Sequence, residues 1–400
     1  MGRAECVFLV ALMAWAGPVR AAPDSLTASR VIEIARSRAP EVLLERTRVE
    51  EARGRLEAAG ALHTENPTIE GVANTDDRFE RRTEWELTVP LDPWTGIARR
   101  RMARAELQRS EHQASHATQR AVGAALQTFY RVLYARDRLE IARQRMAVAE
   151  RVKAAAEERH HSGDAARMDV LLAQTELARA ASDLHSGESE FARARTSLAI
   201  VLALPLDQEH AVSGDLADRT LVGDSTNPSP YRPDVLAAER ELAASERERT
   251  LALTSALPKV AFRLDYGHES GVAVARPGLA LTLPLFNAGH GERVAARARR
   301  DRAKIELQAR EASAKAEIAG LASAYAAAQA AAEELAKNGI PQSRDVAAMA
   351  EDGYRAGKLH LTGLLQVRRE VLETQREYTD RLLEAALAAV DLAVARGAWR

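Results

Sequence analysis

Histidine pairs are the first places in this sequence where chemistry could occur. His112 and His116 lie four residues apart in a segment predicted to be helical, so both imidazoles could share a face and bind a metal ion. His160 and His161 are consecutive, and consecutive side chains diverge on a helix. We favour a solvated helix face for the first pair and a polar turn for the second. No cofactor or metal site is predicted, and no methionine cluster suggests a copper(I) relay.

The sequence also lacks the short motifs that carry catalysis. It has no Gly-x-Ser-x-Gly elbow, no Walker-type phosphate loop and no His-Glu-x-x-His pair. The only cysteine, Cys6, lies in a segment that we expect to be removed, so the mature chain has no thiol for catalysis or disulfides. We predict that the protein is not an enzyme, and that a partner supplies the energy for any active transport.

Charge and composition further limit the classes of function and fold that the sequence allows. The formal net charge is −1 over 400 residues, so no basic excess suggests a nucleic-acid partner. Hydrophobic residues make up 46% of the chain and aromatic residues only 4%, with alanine prominent. Alanine with abundant glutamate and arginine is typical of long helices and coiled coils.

The first 21 residues have the pattern of a secretory signal peptide. Residues 7–16 form an apolar stretch too short to span a bilayer, and cleavage is expected after Ala21 or Ala22. After it, the sequence contains no stretch of about 18 apolar residues, so we predict no transmembrane helix. We therefore expect an exported chain.

The chain matches itself at a spacing of 193 to 195 residues. We infer a duplicated module, with a first repeat at 22–204, a linker at 205–232 and a second repeat at 233–400. The matching features are Pro40-Glu41-Val42 with Pro233-Asp234-Val235, Leu87-Thr88-Val89-Pro90-Leu91 with Leu281-Thr282-Leu283-Pro284-Leu285, Tyr130 with Tyr325, and Gly163 with Gly357.

Each repeat shows the same order of signals: a helix, two extended segments, a very long helix, a glycine turn and a returning helix. The strands are predicted at about 67–91 and 258–285, and the long helices at about 97–160, 168–204, 290–338 and 361–396. The run at 97–160 contains no proline and is roughly 95 Å long if continuous. Apolar residues recur along it with heptad-like spacing and form a seam, which is buried only if a partner helix packs against it. That seam comprises Val132, Ala135, Leu139, Ala142, Met146 and Ala149.

The extended segments alternate apolar and polar residues, as strands of a membrane barrel do. Trp85, Leu87 and Val89 share one face, and Leu279 to Leu285 repeat the pattern on every second position. A strand pair on a soluble core remains the alternative. Four strands cannot close a barrel, so several chains must join. Two chains give eight strands, and three give twelve with a lumen, which favours the trimer for a conduit.

Four aromatic residues near strand ends suggest interfacial anchors, and the charged segment at 76–82 suggests an extracellular loop. The four are Trp85, Trp94, Tyr266 and Phe286.

These features together resemble the TolC family of outer-membrane factors, in particular the branch that serves heavy-metal efflux pumps. The resemblance covers essentially the whole mature chain and rests on the duplication, the Leu-Thr-Val-Pro-Leu strand ending and two turn motifs. The motifs are Arg159-His160-His161-Ser162-Gly163-Asp164 and Tyr354-Arg355-Ala356-Gly357-Lys358. It implies a mainly α fold with a small β part. Long helices would form a periplasmic α-barrel below a trimeric 12-stranded outer-membrane β-barrel, in a Gram-negative bacterium.

The resemblance also implies partners and site residues. The turns would close the helical hairpins at the periplasmic tip and dock a periplasmic adaptor that links the trimer to an inner-membrane pump. The expected docking residues are Arg159, Gly163, Asp164, Tyr354, Arg355, Gly357 and Lys358. Members with a tight gate carry acidic residues six and nine positions after the second tip glycine, where this chain has Gly363 and Gln366. At the matching places the first repeat has Asp169 and Leu172, so an acidic ring at the entrance would come from Asp169.

We predict a passive exit duct of a tripartite, RND-type efflux system, for metal ions or small molecules. The alternative is a soluble periplasmic coiled-coil scaffold or adaptor. A scaffold has no need of leucine at every second position from Leu279 to Leu285, and this distinguishes the two hypotheses.

Overall fold

The computed structural model describes residues 25–59, 66–73, 83–91, 94–208, 210–218, 232–254, 256–269, 272–286 and 288–399. The expected signal peptide, the charged segment at 76–82 and the Pro-containing linker residues 219–231 lie outside these ranges. The described part is mainly helical and contains one four-stranded sheet. No helix in this part is long and apolar enough to cross a membrane.

Helices of the first half are α1 (Ala28–Arg38), α2 (Pro40–Ala59), α3 (Gly96–His161) and α4 (Arg167–Val201). Helix α3 has 66 residues and runs without interruption. At about 1.5 Å per residue it is roughly 99 Å long. Five of the six residues of its predicted seam are buried, with Val132 0% and Leu139 4% exposed, and Met146 is half-buried. Because alanine occupies much of this seam, α4 packs along it at close range.

Helices of the second half are α5 (Pro233–Thr254), α6 (His290–Glu334), α7 (Ile340–Arg355) and α8 (Leu361–Arg396). The prediction that the long helix ends at 338 is wrong. A π-helical turn at Leu335–Gly339 joins α6 directly to α7, so helical structure continues to Arg355. Pro341 has no backbone N–H and would cost an α-helix a hydrogen bond, and the wider turn before it accommodates this loss.

The sheet consists of β1 (Thr68–Ala73), β2 (Thr83–Leu91), β3 (Lys259–Glu269) and β4 (Val272–Thr282), all antiparallel in the order β1-β2-β3-β4. The prediction that strand structure extends to Leu285 is wrong. Thr282 pairs with the first residue of β3, Lys259, so β4 has no partner strand beyond that point. Pro284 also lacks the N–H that a further rung needs.

The two faces of the sheet differ in polarity. Trp85 pairs with Tyr266 and Leu87 with Leu264, which places an apolar row on one face. On the other face Glu86 forms an ion pair with Arg263. Gly71 leaves room for the indole of Trp85, since a Cβ there would lie 2.8 Å from the ring.

The main apolar core lies midway along α3, where α1 and the C-terminal ends of α4 and α8 pack against it. Phe129 and Tyr130 fill its centre, and the Tyr130 hydroxyl donates a hydrogen bond to the Asp218 carbonyl at 3.0 Å. Nearby, the Leu26 N–H donates to the Ala211 carbonyl at 2.7 Å. The start of the described chain and the linker after α4 are thereby fixed to the long helices.

Candidate functional site

The two glycine turns share one hydrogen-bonding pattern. The Asp164 N–H donates to the Arg159 carbonyl at 2.7 Å, and the Lys358 N–H donates to the Gly353 carbonyl at 2.9 Å. Gly163 has φ 85° and Gly357 has φ 69°. An added Cβ would meet no atom within 4 Å at either glycine, so backbone conformation rather than space requires glycine here.

The polar side chains of the first turn mostly bond to the turn itself. The Ser162 hydroxyl donates to the Arg159 carbonyl at 3.0 Å, and Nδ1 of His160 lies 2.9 Å from the Ala165 carbonyl oxygen. His160 is thus part of the turn's own hydrogen bonding. Across the residues that the structure describes, no group of three or more histidine, cysteine, aspartate or glutamate side chains could hold a metal ion.

The two turns are held close together by Arg159 and Tyr354. The Arg159 guanidinium carbon lies 5.2 Å from the centre of the Tyr354 ring, a cation–π distance. Tyr354 is only 8% exposed. Its neighbours form a tip cluster that packs α3 and α4 against α7 and α8. The buried members are Val152, Ala156, Ala173, Ala350, Tyr354, Leu361, Leu364 and Leu365.

The predicted tip residues therefore fall into two groups. Arg159 and Tyr354 hold the hairpins to each other, whereas Asp164, Arg355 and Lys358 are exposed to solvent. Only the second group is open to another molecule, and within it Arg355 already forms exposed ion pairs with Glu351 and Asp352 of α7 at 3.4 and 4.0 Å. Sequence reasoning missed this division because the two tip motifs lie 194 residues apart and nothing local shows that they meet.

The predicted entrance residues lie in the first turns of the two helices that follow the glycine turns, α4 and α8. Asp169 is half-buried in the first turn of α4. Gly363 is near the start of α8, where a Cβ would lie 2.8 Å from Cδ1 of Leu359, and Gln366 is exposed one turn later. Of these three, Asp169 supplies the one negative charge.

An ion-pair network that sequence reasoning missed joins the two hairpins further from the tip. Arg145 of α3 contacts Glu176 of α4 at 2.6 Å and also pairs with Asp183. Arg376 of α8 contacts Asp183 at 2.9 Å. The side chains of Arg145 and Glu176 are only 14% and 11% exposed. A hairpin turning at Gly163 places residues at similar distances from the turn side by side, so Arg145 and Asp183 could have been paired from sequence.

His112 and His116 lie on α3 opposite α5, closer to the sheet. Burial lowers the pKa of both imidazoles, and the nearby Arg240 lowers the pKa of His112 further. Asp234 acts in the opposite direction on His116 without reversing the effect. Both histidines therefore favour the neutral form in the fold. The expectation of a solvated helix face is wrong for this pair, because both side chains are half-buried against α5.

Comparison with known proteins identifies the family. The sequence model described as "Outer membrane efflux protein" matches residues 31–203 and, separately, residues 231–398. The pyoverdine export outer membrane protein OpmQ of Pseudomonas putida is 26% identical over 92% of this chain and 85% of its own length. The cobalt-zinc-cadmium resistance protein CzcC of Cupriavidus metallidurans is 23% identical over 82% of this chain and 80% of its own.

A solved structure has the same fold. The outer membrane protein VceC of Vibrio cholerae superposes with a TM-score of 0.75 at 19% identity, covering 92% of this chain and 96% of that one. Proteins of this kind are efflux channels and not enzymes, in agreement with the absence of a catalytic motif. With both halves matched by the same family model, the chain belongs to the outer membrane efflux protein family.

Proposed function

We propose that this chain is the outer-membrane duct of a tripartite, RND-type efflux system. Three copies form a passive exit channel from the periplasm to the exterior of a Gram-negative bacterium. The observation that carries this proposal is a four-stranded sheet with two open edges, attached to helices roughly 99 Å long.

The open edges require further strands. In the order β1-β2-β3-β4, the first and last strands each have one unpaired side within the described sheet. In lipid, each unsatisfied backbone group costs several kcal/mol, so an isolated sheet cannot stay there. Three copies joined edge to edge give twelve strands and an open lumen.

The polarity of the sheet fits this closure. Ile69 is 68% exposed and Leu279 is 73% exposed, and both belong to the apolar face. Large apolar side chains left in solvent are unfavourable, and lipid would cover them. The opposite face, which carries Glu86 and Arg263, would line a water-filled lumen.

The two halves are best explained as a duplicated module. The same family model matches each half, and the two turns share a hydrogen-bonding pattern. The domain division into repeats at 22–204 and 233–400 with a linker at 205–232 is part of this proposal.

The glycine turns are the proposed docking end. Asp164, Arg355 and Lys358 are exposed there and could pair with a periplasmic adaptor that joins the duct to an inner-membrane pump. Asp169, just above the turns, would supply a ring of three carboxylates at the entrance of the trimer.

The cargo is a solute delivered by the pump. The related proteins have names that refer to pyoverdine export and to cobalt, zinc and cadmium resistance. We propose metal ions or small molecules as cargo. The identity of the pump would determine which of these is carried.

Membrane fractionation with native mass measurement tests the proposal. We expect the chain in the outer-membrane fraction and a trimer in detergent. A stable monomer in detergent would contradict the trimer, and recovery from the soluble periplasm would favour the scaffold or adaptor alternative.

A further inference from the structure

The two long helical runs both begin with a dense group of basic residues. Residues 96–109 contain five arginines and one glutamate, and residues 290–304 contain five arginines and one lysine against two acidic residues. The excess is local, since residues 305–355 carry five basic and eight acidic side chains and the whole chain has a net charge of −1. The basic charge is concentrated where the helices leave the sheet.

Several of these side chains have no carboxylate partner. Arg100, Arg101 and Arg104 of α3 are exposed, and within the described ranges none of them forms a salt bridge. One turn further on, Arg109 does pair with Glu241 of α5. We call the three exposed arginines the α3 collar. Within the described ranges, therefore, the α3 collar is open to solvent ions or to an anionic partner.

Exposed apolar side chains lie beside the α3 collar. Ile97 is 66% exposed and precedes Arg101 and Arg104 by four and seven residues, which places all three on one helical stripe. Trp94, at the junction between β2 and α3, is 54% exposed. A water-filled lumen would favour polar neighbours, whereas the boundary of a membrane favours tryptophan and long cationic side chains together.

The place of α3 within the chain bears on whether a second copy would cover this surface. Helix α3 packs against both α2 and α5, and β2, which leads into it, pairs with both β1 and β3. In the proposed trimer, copies that join at the sheet edges, β1 and β4, would meet away from α3. The exposed face of α3 would then stay free.

We propose that the α3 collar binds the phosphate groups of anionic phospholipids in the leaflet from which the helices emerge. This inference rests on the proposed outer-membrane location. Strand β2 ends at Leu91 and α3 begins at Gly96, so the arginines start within a few residues of the edge of the apolar sheet face. The planar guanidinium fork matches two phosphate oxygens, and a basic residue near an anionic surface strengthens binding by about fivefold.

The test measures lipid retention by the full-length trimer in detergent. Trimer is incubated with phosphatidylglycerol or phosphatidylcholine and bound lipid is counted by native mass spectrometry. The variant replaces Arg100, Arg101 and Arg104 with Gln. We expect its affinity for phosphatidylglycerol to fall by about tenfold or more, since three basic residues contribute. Retention of the zwitterionic phosphatidylcholine should not change.

A matched control removes the same number of charges from the same helix. The control residues are three exposed arginines of α3: Arg131, Arg143 and Arg151. The nearest of them lies about 45 Å along the helix from the α3 collar, at about 1.5 Å per residue. Replacing these three with Gln should leave phosphatidylglycerol retention as in the wild type. An equal loss in both variants would show a nonspecific charge effect and overturn the inference.

Two further outcomes separate this inference from the proposed function. In the first, collar variants stay trimeric in the outer membrane and retain lipid normally, but the ion selectivity of the reconstituted channel changes. The arginines would then face the lumen, so the lipid site would be wrong and the proposed channel function would remain supported. If wild-type protein is recovered from the soluble periplasm, both are wrong.

Discussion

Arg159 lies over the ring of Tyr354, with 5.2 Å between the guanidinium carbon and the ring centre. The two residues come from the end of α3 and the end of α7, in the two halves of the chain. Tyr354 is buried at the same time in the tip cluster. One aromatic side chain thus links the turn of the first hairpin to the turn of the second.

Replacing Tyr354 with Ala should loosen the tip. The change removes the cation–π contact and leaves a cavity, and we expect a loss of about 3 kcal/mol, as for other large aromatic truncations. Limited proteolysis should then cut at the turns near Gly163 and Gly357 much faster than in the wild type. Tyr354→Phe keeps the ring and serves as the control. If alanine and phenylalanine variants are cut at the same rate as wild type, the ring does not hold the tip.

Replacing Arg145 with Met should destabilise the hairpin pair more than the loss of a surface ion pair does. Removing Arg145 takes from the buried Glu176 its nearest counter-charge and leaves only Arg179 and Arg369, at 3.9 and 3.8 Å, so we expect a cost of about 1–3 kcal/mol. Arg381→Met is the control, because Arg381 pairs with Glu384 at an exposed site and such pairs contribute about 0.5 kcal/mol. Thermal unfolding of the two variants should differ clearly, and equal melting temperatures would contradict a structural role for the network.

The long helices and the strands were predictable because their signals are local. Alanine-rich heptad spacing predicts helices near the observed α3 and α4, and alternation predicts strands near β2 and β3. The turn glycines were predictable for a similar reason: each interrupts a helical pattern, and each has positive φ in the structure.

Other features depend on contacts between distant segments. The burial of Tyr354 follows from the meeting of the two tips, which no local pattern shows. The sequence predicts that the long helix ends at about 338, whereas the structure has a π-helical turn at Leu335–Gly339, packed against α6 and α8, and the chain stays helical beyond it. The end of β4 at Thr282 is set by where β3 begins, a property of the partner strand.

Stability should fall at mildly acidic pH because of His116. Burial lowers the pKa of His116 below 6.5, so below that pH the folded state binds fewer protons than the unfolded state. The stabilisation is complete above about pH 6.5 and is lost as pH falls through the lowered pKa. His116→Gln should therefore show a smaller drop in melting temperature between pH 7.5 and about pH 5 than wild type.

A residue that carries no titratable group provides the control for this pH effect. Gln113 is exposed on α3 beside His112, so Gln113→Ala should leave the pH dependence of the melting temperature unchanged. His112, whose pKa burial also lowers, should add to the effect, and the double variant at His112 and His116 should be the least sensitive to pH. An unchanged acid-dependent drop in the His116→Gln variant would contradict this assignment.

Replacing Gly357 with Val should abolish efflux while the trimer still reaches the outer membrane. Gly357 has φ 69°, which a β-branched residue adopts at a cost of about 1–3 kcal/mol, so the turn that presents Arg355 and Lys358 would be distorted. Gly320 of α6 also has open space around its Cβ, without a positive φ, and Gly320→Ala should preserve efflux. Cysteines placed at Ser162 and Lys358 should crosslink to the adaptor. A cysteine at the exposed Gln342 is the control and should not crosslink, because this residue lies about 22 Å from the turn along α7, at about 1.5 Å per residue. Full activity of Gly357→Val together with no crosslink from either turn would show that the turns only end the helices, and that the adaptor binds elsewhere.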